Sequence, residues 1–195
     1  MSPRPTGSCK RITRVRAFIA IDLPETLRSS LGQCQAFFRP SAPGARWVRP
    51  EGIHLTLKFL GEVEPGTLEK IKESLKTAGR FEPFRVEIIG FGFFPDARRP
   101  KVFWAGVEAG PGLAELAGHV EGAMASLGFP PEERPFRPHL TLARFREPRP
   151  QPALAKVLEQ QTELTLGAFD ACEFFLFESR LSPGGAEYVK IARFP

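Results

Sequence analysis

His54-Leu55-Thr56-Leu57 and His139-Leu140-Thr141-Leu142 are one tetrapeptide written twice, in a chain of 195 residues that has three histidines in all. Alternate residues of a β-strand face opposite sides, so each copy turns its His and Thr to one face and its two leucines to the other. The pattern predicts two strands that bury leucine pairs and show an imidazole and a hydroxyl, about 7 Å apart along the strand, on the other side. Should the copies be related by a pseudo-twofold axis, two imidazoles and two hydroxyls converge on one cleft.

The copies stand 85 residues apart. The same offset carries Ala17-Phe18-Ile19-Ala20 onto Val102-Phe103-Trp104-Ala105 without a gap, and Phe84-Arg85-Val86 onto Phe169-Asp170-Ala171. Agreement on both sides of the tetrapeptide points to a duplication. Its period is far longer than the roughly 20–50 residues of solenoid repeats, so two lobes are expected rather than an array.

Strands are predicted around residues 16–22, 53–60, 84–90, 102–107, 139–145, 169–178 and 187–194, and helices over 24–38, 65–78, 112–127 and 152–160. Pro24 and Pro65 fall in first helical turns, where a missing N–H costs nothing, and Leu68, Ile71, Leu75 and Ala78 keep the spacing of a buried helix face. Neighbouring strand runs late in each half favour antiparallel pairing over a doubly wound parallel sheet, which makes the fold class α+β.

With 42% hydrophobic residues and no long Gly/Ser linker, the chain has material for one sizeable core or two fused ones. Residues 1–14, rich in Pro, Arg and Ser, read as a basic flexible tail ahead of a single domain over 15–195. No stretch approaches the roughly 18 apolar residues of a membrane span. Cys9, Cys34 and Cys172 are too few and too scattered for a disulfide framework or a metal-binding cluster, which fits a cytoplasmic protein. A net charge of +5 favours anionic partners, with basic clusters at 10–16, 46–49, 98–101 and 134–149.

Two imidazoles and two hydroxyls suit phosphodiester chemistry, which needs a base for the nucleophile, an acid for the leaving oxygen and donors for the charged equatorial oxygens. Imidazole has an ordinary pKa of about 6.5 and can serve as either acid or base. The Thr56 and Thr141 hydroxyls can donate to phosphate oxygens. Neither motif adds the further histidine or carboxylate that a divalent metal would want, so no metal is expected.

Three further stretches carry a resemblance. The run from Arg16 to Pro24 (Arg-Ala-Phe-Ile-Ala-Ile-Asp-Leu-Pro), Arg46-Trp47-Val48 leading into His54 to Gly61, and Arg137 to Arg144 together resemble the 2H phosphoesterase superfamily. Within it they are similar to the RNA 2′,3′-cyclic phosphodiesterases, historically called 2′-5′ RNA ligases. The resemblance implies a bilobal fold of two pseudo-symmetric lobes, each an antiparallel sheet backed by helices, with the active-site cleft between them. It also implies hydrolysis of a terminal 2′,3′-cyclic phosphate on RNA to a 2′-phosphomonoester, without metal or cofactor and with reversible 2′-5′ ligation as a companion activity. By position, His54 would be the acid, His139 the base, Thr56 and Thr141 the phosphate holders and Arg144 a substrate contact. Pseudo-symmetry leaves the acid and base exchangeable from sequence alone.

Several residues have two readings. Arg144 has the wrong parity for an ideal strand starting at His139, so it needs a bulge, a twist or a curling side chain to reach the cleft; its counterpart in the first repeat is Phe59. Phe18 is either a platform for the terminal base or a core residue, with Ile19 where relatives carry a second aromatic. Trp47 is another stacking candidate. Phe93, Phe94, Phe174, Phe175 and Phe177 are expected between sheet and helix, Cys34 and Cys172 in the core, and His119 outside the site. The partners expected are RNA ends bearing a cyclic phosphate, tRNA fragments and small cyclic nucleotides included, met by a monomer. The competing reading is a phosphate-binding module without catalysis, although grip alone is better served by Arg or Lys.

Overall fold

The computed structural model of the chain describes residues 14–78, 80–161, 165–182 and 185–195. The expected basic tail lies outside them except for Arg14, which pairs with Glu64 at 3.3 Å. In order, the elements are β1 (Val15–Ile21), α1 (Glu25–Phe38), β2 (Ala45–Trp47), β3 (Leu55–Val63), α2 (Pro65–Ala78), β4 (Phe84–Phe94) and β5 (Val102–Ala109). They continue with α3 (Pro111–Ser126), β6 (His139–Phe145), α4 (Pro152–Glu159), β7 (Thr165–Ala171), β8 (Phe174–Ser182) and β9 (Gly185–Phe194).

The strands form two antiparallel sheets, in the orders β3-β1-β8-β9 and β2-β6-β5-β4-β7. Each sheet carries one copy of the tetrapeptide, and the α+β, two-lobed architecture stands. The lobes are not the two halves of the sequence, however. The first sheet takes β8 and β9 from the end of the chain, and the second takes β2 and β4 from its beginning. The run expected at 169–178 is correspondingly two strands, β7 and β8, that belong to different sheets. Cys172 lies between them and is exposed, against the core placement expected for it. Cys34 does sit in the core, where burial pushes its thiol up to about 12.

Helices cross over as well. Helix α1 leaves the first sheet and packs against β7 of the second, while α3 leaves the second and packs against β3 of the first. Both faces of the exchange are apolar: Leu27, Leu31 and Phe38 of α1 and Leu113, Leu116, Val120 and Met124 of α3 are all buried. Ile71 and Leu75 of α2 join them, with Leu68 at the margin, as the helical spacing predicts, while the expected burial of the Ala78 side chain lies outside the described residues. One apolar cluster runs through both lobes, from Ile19 and Leu55 to Phe103 and Leu140. Phe84-Arg85-Val86 and Phe169-Asp170-Ala171 are not equivalent places in two lobes; they are paired neighbours on β4 and β7, with Arg85 3.4 Å from Asp170.

Two buried polar side chains, Gln35 and Lys58, interrupt this core among the described residues, and each is 2% exposed or less. Gln35, on α1, donates from Nε2 to the carbonyls of Val48 at 2.7 Å and Leu142 at 2.9 Å. Lys58, on β3, donates from Nζ to both Glu121 carboxylate oxygens at 2.8 Å and to the Pro130 carbonyl at 3.0 Å. All three of its N–H bonds find acceptors, which is what allows the ammonium to be buried. Both struts run from a crossed-over helix to an irregular point in a motif-bearing strand.

Candidate active site

Those irregular points are bulges, one in each repeat at the same place. Along β1, Ile19 pairs with Lys58 and Ala20 with Thr56, leaving Leu57 unpaired. Along β5, Phe103 pairs with Ala143 and Trp104 with Thr141, leaving Leu142 unpaired. An extra residue reverses the alternation beyond it. Leu57 and Lys58 are therefore buried in succession, as are Leu142 and Ala143, and the next residues, Phe59 and Arg144, return to the face that carries His and Thr. The parity difficulty with Arg144 is resolved in favour of a bulge.

The same pairings correct the alignment of β1 with β5. Ile19 and Phe103 both oppose the residue after the bulge, and Ala20 and Trp104 both oppose the motif threonine. The true offset there is one residue shorter than in the motifs, and a slip of one turns every side chain to the other face. Phe18 consequently lies on the site face, whereas Phe103, its apparent mate in sequence, is wholly buried in the core.

On that face the two histidines are held alike. His54 Nδ1 lies 2.9 Å from the Gly52 carbonyl, and His139 Nδ1 lies 2.7 Å from the Arg137 carbonyl. A carbonyl only accepts, so each Nδ1 must carry the hydrogen and each neutral ring keeps its lone pair on Nε2. Among the described residues neither Nε2 has a hydrogen-bond partner, and the hydroxyls of Thr56 and Thr141 are likewise unengaged. All four side chains are partly exposed. β3, at the edge of the first sheet, approaches β6 of the second, and the Arg144 guanidinium acts on both imidazoles, opposing protonation of each.

Burial is the larger effect. It takes the His54 pKa from 6.5 down to about 4, against the Gly52 hydrogen bond and the Asp22 carboxylate, which favour the charged ring. The His139 pKa is lowered too, again by burial first, with the Arg137 carbonyl opposing. The burial comes from aromatic side chains. Phe18 stacks on His54 at 4.5 Å, Tyr188 meets it edge-on at 5.0 Å, and Phe94 meets His139 edge-on at 4.9 Å. Phe18 is 3% exposed, with Phe177 stacked on it at 5.1 Å. Its stacking goes to the imidazole.

Phe94, Phe175 and Phe177, expected between sheet and helix, are instead on the site side, because alternate residues of β4 and β8 face opposite ways; Phe93 and Phe174 do pack into the core. Trp47 is directed to the core by its pairing with Ala143 and packs on Phe103 with Arg39 over it, away from the site face. His119 is exposed on α3, outside the site as expected. Trp104 and Tyr188 line the face without having been singled out, and Trp104 fits there because Gly92 opposes it: a Cβ at Gly92 would stand 2.2 Å from the indole. Phe59, 59% exposed and 6.1 Å from Phe18, is the aromatic side chain with an open face.

A cavity of about 670 Å³ borders His54, between Asp22, Arg28, Phe177, Tyr188 and Lys190, but does not reach His139. Asp22 is held there by Arg28 and by Lys190 at 2.5 Å. Among the described residues no three His, Cys, Asp or Glu side chains gather as a metal site would require, and no helix is long and apolar enough to cross a membrane.

Comparison with known proteins agrees with this geometry. A Methanothermobacter thermautotrophicus protein named RNA 2′,3′-cyclic phosphodiesterase is 35% identical over 182 residues, covering 93% of this chain and 98% of its own. The crystal structure of TT0787 from Thermus thermophilus superposes with a TM-score of 0.77 at 33% identity, over 92% of this chain and 96% of that one. Escherichia coli LigT in complex with 3′-AMP gives a TM-score of 0.75 at 29% identity, over 93% and 97%. The family profile described as LigT like Phosphoesterase matches twice in succession, over residues 21–104 and 107–188, one match for each motif. The chain belongs to the LigT-like phosphoesterase family.

Proposed function

We propose that this chain is an RNA 2′,3′-cyclic phosphodiesterase that opens a terminal cyclic phosphate to a 2′-phosphomonoester, with His54 and His139 as the acid–base pair. The observation that carries the reading is the matched tethering of the two rings. Each Nδ1 is tied to the carbonyl two residues upstream, which leaves an Nε2 atom and a free hydroxyl on each of two neighbouring strands, β3 and β6.

In the proposed step His139 Nε2 takes a proton from water as the water oxygen bonds to phosphorus. The bond from phosphorus to O3′ breaks, and His54 Nε2 gives its proton to O3′. Thr56, Thr141 and Arg144 donate to the non-bridging oxygens, whose charge grows in the transition state. The acid role of His54 follows its place in the first motif; of the charges near it, Asp22 favours the imidazolium against Arg144, Arg28 and the larger effect of burial. One chain supplies both halves of the site, which supports a monomer; a cytoplasmic location is proposed with it from the scattered cysteines. Phe59, rather than the covered Phe18, offers a face on which a base can stack.

The test is product analysis: an oligonucleotide ending in a 2′,3′-cyclic phosphate is incubated with the protein and a chelator, and 2′-phosphate, 3′-phosphate and ligated products are resolved. The 2′-phosphate is expected to dominate; a 3′-phosphate product sinks the assignment of the leaving oxygen. tRNA fragments and small cyclic nucleotides belong in the same assay as alternative substrates.

Burial also sets the pH dependence. Both free-enzyme imidazoles titrate below 6.5, so a mechanism using one charged and one neutral ring gives a bell-shaped kcat/KM profile centred on the acid side of that value. A bound phosphate anion favours imidazolium and raises its pKa. The kcat profile, which reports the complex, is expected to peak at higher pH than kcat/KM. Coincident optima at or above pH 7 would count against two buried imidazoles as the acid and base.

A further inference from the structure

The outermost strand of the second sheet, β2, runs antiparallel to β6 with Arg46 directly opposite Arg144. Directly opposed residues point to the same face, with Cβ atoms about 5 Å apart, so Arg46 shares the face of His139 and Thr141. Both arginines are exposed, and among the described residues neither has a carboxylate partner. Two acidic side chains nearby in sequence are engaged elsewhere. Glu147 pairs with Arg149, and Asp96 accepts from the backbone N–H groups of Arg98 and Arg99 at 2.7 and 3.1 Å.

Two like charges set opposite each other across a strand pair destabilise the sheet. An anion between them reverses the sign, and guanidinium forks suit a phosphate in particular. The surroundings extend the positive edge: the Lys101 carbonyl accepts the Phe145 N–H at 2.9 Å, which fixes the basic 98–101 turn against the end of β6. Arg144 lies three residues past Thr141, roughly 10 Å along the strand. That is about one nucleotide's reach from a phosphate held at the histidines.

We infer that Arg46 and Arg144 form a second anion subsite, for the phosphodiester on the 5′ side of the terminal nucleotide, so that the site takes an RNA chain in preference to an isolated cyclic mononucleotide. This rests on the assignment of the histidine pair to a terminal cyclic phosphate. Arg144 then serves twice, facing the imidazoles with one edge and completing the second subsite with Arg46.

The experiment compares a nucleoside 2′,3′-cyclic monophosphate, which has no 5′ phosphate, with a trinucleotide carrying the same cyclic end. Wild type is expected to have the higher kcat/KM on the trinucleotide, and Arg46→Gln to lower that preference roughly tenfold, the size of one charge-assisted hydrogen bond. Arg46→Lys retains part of it. In parallel, a fluorescent trinucleotide ending in a 3′-phosphate is titrated at several salt concentrations. Its log–log salt slope is expected to fall by about 0.7 in Arg46→Gln, the value for one contact to a single strand. The variant should melt no lower than wild type, since removing one of two opposed charges relieves repulsion. An unchanged preference, or an equal loss on both substrates, overturns the second subsite. If wild type cleaves neither substrate, the histidine assignment fails, and the binding titration alone decides: an unaltered slope and affinity overturn the subsite.

Discussion

Alanine at His54 or at His139 is expected to lower hydrolysis of a 2′,3′-cyclic phosphate by roughly 10²–10⁴-fold, the range for loss of one positioned acid or base. The double variant should be little worse than either single one, because a proton donor without its acceptor partner leaves a pair that no longer works as a unit. Both rings are tethered through Nδ1 and free at Nε2, so the loss belongs to kcat more than to KM. Circular dichroism and the unfolding midpoint should be nearly unchanged at His139. At His54 a modest loss of stability is expected too, because its ring is packed between Phe18 and Tyr188. Substantial turnover by either variant, assayed with chelator, would reject the acid–base pair. Normal phosphate binding with no turnover in the wild type would instead select the binding-module reading.

The second large effect concerns stability. Glu121→Gln strips the counter-charge from the Lys58 ammonium while leaving it buried, and removal of one partner of a buried pair costs about 3–5 kcal/mol. Glu121 keeps some contact with solvent, so about 2–4 kcal/mol is expected, read as a shift in the midpoint of chemical denaturation. In a chain of this size that corresponds to a fall in Tm of roughly 5–15 °C. Replacing both partners by apolar residues, Lys58→Met with Glu121→Leu, should recover much of the loss. A Glu121→Gln variant within about 1 kcal/mol of wild type would show that the ion pair does not hold β3 in place.

The sequence disclosed the chemistry more readily than the route of the chain. Side-chain alternation is a local property, so four letters place His54 with Thr56, and His139 with Thr141, on the same side of their own strands. Helix starts at Pro24, Pro65, Pro111 and Pro152 were legible within a residue or so for the same reason. Which sheet a strand joins is a non-local matter, and nothing in 169–178 announces that the run divides between two sheets. The bulges at Leu57 and Leu142 had one visible sign, the substrate-type Arg144 at a forbidden parity. Nothing in the sequence separates the strut residues Gln35 and Lys58 from ordinary surface polar residues; their burial beside the bulges does. The off-by-one between β1 and β5 misled because Phe and Ala recur so often that an ungapped match cost nothing.

The exchange of α1 and α3 between lobes bears on ancestry. A polypeptide holding a single repeat could not complete either lobe alone, since each sheet draws strands from both halves and takes a covering helix from the other repeat. The forerunner expected from this arrangement is a pair of identical copies, each lending the other strands and a helix and contributing one histidine. Fusion into one chain frees the copies to diverge, and Phe59 at the place equivalent to Arg144 fits that freedom: two matching seats, one suited to a flat ring and the other to a charged oxygen.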